Sequence, residues 1–172
     1  MVYTIGKNVV AYEAREQDLD DLLALIYEIA VYEKMEKEVT ATKETLKQSL
    51  LVDRRASVLL IAQEGQVIGY MLYFYNYSTF TGSANLYLED LYIKQAYRHQ
   101  GIGRKMFELL AQIALENGCK RIDWVCLDWN QPSLDFYRKI GAKPLKQWVV
   151  HRLEEDQITA LAETNQDILY YL

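Results

Sequence analysis

The sequence predicts a mixed α/β (α+β) fold in one domain spanning residues 1–172, and three observations carry that prediction. β-rich and helix-periodic segments follow one another as β-α-α-β-β-β-α-β-α-β, which is not a repeating β-α winding. Two adjacent β-rich segments in mid-chain are split by Gly65, a hairpin signal. No linker, low-complexity tract or internal repeat interrupts the chain, and it holds only two prolines.

Segment 8–15 reads as the first strand. Asp18 then caps a helix with Leu19, Leu22, Leu23, Ile26, Ile29 and Ala30 at helical spacing. Thr42 opens a shorter helix toward Val52. Segments 57–64, 66–77 and 84–94 read as three strands. Ile102, Met106, Leu109, Leu110 and Ile113 share one face of the next helix, which Gly118 ends as a C-cap. Segment 121–127 reads as a buried strand, Asn130 as the cap of a helix with Pro132 in its first turn, and Gly141 as its stop. A hairpin near 145–153 and a short helix near 155–163 complete the reading.

Composition sets bounds on function. Lys and Arg number 19 against 24 Asp and Glu, a formal charge of −5, and hydrophobic residues make up 51%. This is ordinary for a globular chain and gives no global reason to expect nucleic acid. Only Cys119 and Cys126 are present, too few for a disulfide framework or a Cys-rich zinc site, and no metal is expected. The first residues lack the basic start and apolar stretch of a signal peptide, and no apolar run approaches a membrane span, so the expectation is a cytoplasmic protein without a membrane partner. Of 14 tyrosines, half lie between Tyr70 and Tyr97.

Between a strand and an amphipathic helix stands Arg98-His99-Gln100-Gly101-Ile102-Gly103-Arg104-Lys105. A helix start leaves amide hydrogens unpaired and carries partial positive charge, and two glycines let a pyrophosphate approach the backbone. Arg98, Arg104 and Lys105 add positive charge to an otherwise acidic protein. Read alone, the same string also describes a glycine turn leading into a surface helix. Met106 stands where a dinucleotide fingerprint has Gly or Ala, and the Gly-Lys-Ser/Thr of a P-loop is absent.

The loop matches Gln/Arg-x-x-Gly-x-Gly/Ala, and with YEKMEKEV at 32–39, LYLEDLYI at 86–93 and LDWNQPSLDFYRKIGA at 127–142 the chain resembles the GCN5-related N-acetyltransferases (GNAT), in their spermidine/spermine (diamine) and thialysine branch. The resemblance implies the GNAT fold: a mixed, mostly antiparallel central sheet with helices on both faces and a splayed pair of parallel strands. It implies acetyl-CoA as cosubstrate, its pantetheine on the edge at Leu91, Tyr92 and Ile93 and its pyrophosphate at Arg98, Gln100, Gly101, Ile102, Gly103 and Arg104. Asn130 and Ser133 match positions that hold the pantetheine arm, and Tyr137 matches a residue that contacts the sulfur and acts as general acid. It further implies a homodimer, to which the tyrosine-rich edge and the C-terminal DILYYL could contribute.

Acetyl transfer to an amine requires the ammonium, with a pKa near 10.4, to lose a proton, and requires a hydrogen-bond donor at the thioester oxygen. A strand amide near Tyr92 could serve that oxygen. Glu89 matches the family residue that draws the proton from the amine. Glu89 and Asp90 are adjacent, so strand alternation sends them to opposite faces, and at least one approaches the sheet interior. Tyr32, Glu33 and Glu36, with Asp90, Ser78 and Phe80, match the wall around a small-molecule amine. For Glu36 a solvated charge run is an equal reading, and by periodicity alone Tyr137 belongs to a buried face with Leu134, Phe136 and Ile140. The stretch Tyr77-Ser78-Thr79-Phe80 lacks the acidic residue and tryptophan of the polyamine enzymes, which makes a short diamine or lysine-like amine as plausible a substrate as the polyamine spermidine. A peptide or protein amine, or a CoA-binding sensor without turnover, are the rival readings.

Overall fold

A computed structural model describes residues 1–163. By internal contacts the chain forms two compact units, Met1–Leu134 and Asp135–Leu172. Its strands are β1 (Val2–Gly6), β2 (Val9–Glu13), β3 (Ser57–Gln63), β4 (Gln66–Ser78), β5 (Ser83–Ile93) and β6 (Ile122–Asp123). Its helices are α1 (Leu19–Glu33), α2 (Lys43–Leu46, widening into a π-type stretch Lys47–Val52), α3 (Ile102–Glu116), α4 (Gln131–Lys139) and α5 (Glu155–Glu163).

The first unit is built on a six-stranded sheet in the order β1-β2-β3-β4-β5-β6. Neighbours are antiparallel except β5 and β6, which run parallel. Strand alternation gives both faces an apolar surface. On one face Leu19, Leu22 and Leu25 of α1 pack with Val58, Leu60, Tyr70 and Tyr92. The alternate residues Leu59, Ile61 and Met71 are also buried, and α3 packs against β1 and β5 through its buried stripe Ile102, Met106, Leu109, Leu110 and Ile113. Burying such side chains is the main force holding the layers together, at roughly 1.5–3 kcal/mol each.

Local signals explain the element ends. Gly65 at φ 82° turns β3 into β4, and Gly118 at φ 67° ends α3, where the Cys119 amide reaches back to the Ala114 carbonyl. Thr42 caps α2 by accepting from the Thr45 amide.

Three sequence expectations are corrected. The first strand is preceded by another, β1, folded back through a turn with Asn8 at φ 61°. Segment 121–127 forms a ladder only at Ile122–Asp123, opposite Leu86 and Tyr87. The reason lies in β5: Tyr73 faces Leu88 while Leu72 faces Asp90, so Glu89 is the extra residue of a β-bulge. A bulge bends and twists its strand, and a parallel neighbour cannot follow it. Segment 145–153 forms no ladder among the described residues; it turns after Leu145 and exposes Trp148, Val149 and Val150. A two-stranded ribbon without a third strand or an apolar cover is marginal in water. DILYYL lies outside the described residues.

Candidate active site

The site begins where β5 ends. After Ile93 a 3₁₀ turn, Gln95–Tyr97, leads to Arg98, and His99 (φ 62°) and Gly101 (φ 79°) bend the chain into α3. The Lys105 amide donates to the Gly101 carbonyl at 3.1 Å, the first bond of the helix. The amides of Ile102, Gly103 and Arg104 precede any intrahelical acceptor and are available to an anion. A Cβ at Gly103 would meet only Ile93 Cδ1, at 3.8 Å, and one at Gly101 nothing within 4 Å. The fold does not fill the space over these glycines, so a phosphate group can lie against the backbone there.

The basic residues of the loop are more committed than their sequence suggests. Arg98 donates from Nε to the Ile93 carbonyl at 2.8 Å, and its guanidinium lies over the rings of Tyr32 (5.1 Å) and Tyr92 (5.5 Å). Arg104 and Lys105 both pair with Glu108, at 3.3 and 2.8 Å. Only exposed pairs of this kind stay available to a ligand, because water already screens them.

The second feature is a bare strand edge. The β5–β6 ladder stops at Tyr87 and Asp123, while β5 stays paired with β4 as far as Ile93 opposite Gly69. Among the described residues, Leu91, Tyr92 and Ile93 therefore present one edge without a strand neighbour. Such an edge offers backbone donors and acceptors to an extended amide-bearing chain.

The third feature is a cluster of carboxylates and phenols. Tyr87 faces Phe74 and Asp90 faces Leu72, so Tyr87 and Asp90, three residues apart, share one face of the sheet because the bulge breaks the alternation between them. Glu89 is exposed and Asp90 half-buried. Asp90 accepts the Tyr70 hydroxyl at 2.8 Å. Burial pushes the Asp90 carboxyl up, and the Tyr70 hydrogen bond pulls it part of the way back. Glu33, the last residue of α1, is pushed up by burial and then by the Asp90 charge. Burial pushes the Tyr70 phenol up as well, reinforced by Asp90, Glu33 and Glu89. The Cys126 thiol is raised by burial and by Glu33. These cross-influences place Glu33, Asp90, Tyr70 and Cys126 in one neighbourhood.

Aromatic groups border it. The Tyr32 hydroxyl donates to Asn130 Oδ1 at 3.0 Å, and the same oxygen receives the Ser133 amide at 3.4 Å as the cap of α4. Tyr32 and Trp129 have centroids 6.0 Å apart, with Lys34 Nζ 5.3 Å from the Trp129 ring. Tyr92, buried under α1, donates to Glu28 Oε2 at 3.1 Å, and Lys94 pairs with Glu28 at 3.3 Å.

The structure thus brings Tyr32, Glu33, Asp90, Tyr92, Arg98 and Asn130 into one connected set. It does not bring Ser78 and Phe80 there: Ser78 closes the β4–β5 hairpin with Thr81, six residues along β4 from the partner of Asp90 and so about 20 Å away. Glu36 lies in a 3₁₀ turn, half-buried, beyond α1. Sequence reasoning missed Tyr70, Glu28, Lys34 and Trp129. Trp129 had a signal, its place in the matched stretch before Asn130; Tyr70 and Glu28 had none, since their contacts cross the fold.

In the second unit Tyr137 is half-buried on α4, its ring edge-on to Phe136 at 5.7 Å. Its carbonyl accepts the Ala142 amide at 3.0 Å, and Gly141 at φ 90° ends the helix as the sequence predicts.

Residues 17–142 match the model of the acetyltransferase (GNAT) family. The chain is 37% identical over 166 residues to a thialysine N-epsilon-acetyltransferase of Bos taurus, covering 90% of this chain and 97% of that protein. It is 30% identical over 161 residues to the Caenorhabditis elegans protein of the same name, covering 91% and 99%. Among solved structures, an integron cassette protein from V. cholerae superposes with a TM-score of 0.76 at 24% identity, over 92% of this chain and 99% of that one, a likeness of fold. With a glycine-opened helix, a bare β5 edge and a family match over most of its length, the chain belongs to the GNAT acetyltransferase family and is an N-acetyltransferase.

Proposed function

We propose that the protein uses acetyl-CoA to acetylate a primary amine of a lysine-like amino acid or short diamine, by direct attack and without an acyl-enzyme. The observation that carries this reading is the juxtaposition of the open helix start at Gly101–Arg104, the bare edge at Leu91–Ile93 and the half-buried carboxyls of Glu33 and Asp90. When bound, acetyl-CoA supplies the activated acetyl group. The amides of Ile102, Gly103 and Arg104, with Gln100 beside them, hold its pyrophosphate. Arg98 braces the loop from below, and Asn130 and Ser133 order the start of α4 beside the pantetheine arm. The Tyr92 amide donates to the carbonyl oxygen as charge develops there. Asp90 and Glu33, with the ring of Tyr32, attract the cationic substrate. Glu89, exposed at the bulge, accepts the proton of the attacking amine through water, and Tyr137 returns a proton to the departing thiolate.

The substrate class is supported by the names of the relatives already cited. We further assign the whole chain to one functional domain acting as a cytoplasmic homodimer. The exposed Trp148, Val149 and Val150 support an interface in the second unit, and the free thiols Cys119 and Cys126 suit a reducing compartment.

The test is release of CoA thiol from acetyl-CoA across thialysine, lysine, ornithine, putrescine, spermidine, spermine and a histone peptide. The expected result is the highest kcat/KM for the amino-acid and short-diamine members; equal rates for all amines, or preference for the peptide, would refute it. Tyr137→Phe is expected to retain CoA affinity while turnover falls at least roughly tenfold.

A further inference from the structure

Tyr70 is fully buried in the core beneath α1, among Leu19, Leu22, Leu25, Val58, Leu60 and Tyr92. Packing alone would accept phenylalanine at such a position, and a buried hydroxyl is costly unless it is bonded. The hydroxyl is bonded to Asp90 Oδ2, at 2.8 Å. The register explains the reach. Tyr70 stands directly opposite Tyr92, so Asp90 is its diagonal neighbour on the same face, a separation that an aromatic side chain spans.

The charged and titratable surroundings of Asp90 come from several elements. Glu33 at the end of α1 feels the Asp90 charge, Tyr70 of β4 donates to Asp90, Glu89 precedes it on β5 as the exposed bulge residue, and Cys126 after β6 feels the Glu33 charge. Beyond it on β5 stands Tyr92, engaged by Glu28 and Arg98. Burial pushes the Asp90 carboxyl up toward its neutral form, and a neutral acid would not attract an ammonium ion.

We infer that Tyr70 is a positioning residue for amine capture, its hydroxyl keeping the Asp90 carboxylate ionised and turned in one orientation for the cationic substrate. This rests on the proposed role of Asp90 as an amine ligand. Tyr70 touches neither substrate nor cosubstrate; it acts through Asp90. The sign follows from the hydrogen bond, which favours the charged form of Asp90.

The experiment compares parent and Tyr70→Phe across pH, reading kcat/KM for the amine and KM for acetyl-CoA separately. A lost hydrogen bond to a charged group corresponds to about a tenfold change. The lower break in the amine profile is expected to move up by about one pH unit, with KM for the amine up about tenfold at pH values below the break, little changed well above it, and KM for acetyl-CoA within about twofold throughout. A second variant guards against misfolding: 3,5-difluorotyrosine introduced at position 70 alone is a stronger donor, and the break should move down. If neither variant moves the break while Asp90→Asn abolishes amine capture, Tyr70 is a core residue only and the inference fails. If Asp90→Asn keeps the parent kcat/KM, the amine-binding reading fails first and takes this inference with it.

Discussion

Gly69 lies on β4 directly opposite Ile93, at the rung where β5 leaves the sheet for the glycine-rich loop. A Cβ built there would stand 2.3 Å from the Tyr92 carbonyl oxygen, 3.1 Å from Ile93 Cα and 3.2 Å from the Tyr92 carbonyl carbon. All three are backbone atoms, so no side chain can swing aside. Restoring ordinary contact requires the end of β5 to retreat by about 1 Å, which stretches the last rungs of the β4–β5 ladder past hydrogen-bonding distance. About two weakened hydrogen bonds plus overpacking put the cost of Gly69→Ala at about 2–3 kcal/mol. At about 2–4 °C per kcal/mol for a chain of this size, Tm falls by about 4–12 °C. The retreat also moves the edge at Tyr92 and Ile93 and the carbonyl that anchors Arg98, so KM for acetyl-CoA rises with it. Gly103→Ala is the control, because its Cβ meets only Ile93 Cδ1 at 3.8 Å. Alanine suits a helix better than glycine, so Tm should hold or rise while a methyl group over the amides raises KM for acetyl-CoA. Scanning calorimetry and initial rates measure both. A Gly69→Ala protein melting within about 1 °C of the parent, with an unchanged KM, would show that β5 yields without cost and would refute the steric argument.

Asp90→Asn is expected to lose amine capture yet gain stability at high pH. Burial raises Asp90, so the folded state binds its proton more tightly than the unfolded chain; this favours folding at low pH and is lost as pH rises through the folded value. Asparagine can still accept from Tyr70 and carries no charge, so its Tm relative to the parent should be higher at pH 8 than at pH 4, and the reverse order would contradict the sign. Arg98→Lys removes the planar group that covers Tyr32 and Tyr92 and bonds the Ile93 carbonyl. A loss of about 1–2 kcal/mol in thermal stability and a weaker acetyl-CoA complex by isothermal titration are expected, whereas unchanged values would mean that any cation suffices.

Much of the fold could be read in advance because its punctuation is local. Gly65, Gly118 and Gly141 all adopt positive φ where the chain was expected to turn, and the α3 stripe buries as its spacing implies. What escaped depends on partners distant in sequence. β1 is five residues long and shows little alternation by itself. Segments 121–127 and 145–153 have strand-like composition, but a strand exists only where a neighbour supplies a ladder, and composition does not report the neighbour. The site divides in the same way. Gly101 and Gly103 announced their loop through spacing. The fixing of Arg98 between two rings, and the meeting of Tyr70, Glu33 and Asp90, required knowledge of register and of where α1 ends.

The bulge at Glu89 shows how one added residue separates two neighbouring acids chemically. Asp90, half-buried, is poorly solvated as an anion, and its charge adds to the burial that raises Glu33. A cation placed between them relieves both penalties, whereas a neutral amine relieves neither, so the pair selects charge. Glu89, turned toward solvent, keeps access to water and can pass a proton onward. The amine that reacts must be neutral at the moment of attack, while a lysine-like molecule or a diamine always carries a second, charged nitrogen. On the proposed reading the half-buried pair holds the charged end and the exposed acid serves the reacting end. A monoamine with the same reacting group but no second cation should therefore be acetylated with a far higher KM, and one that matched the diamine in KM would break the link between burial and selection.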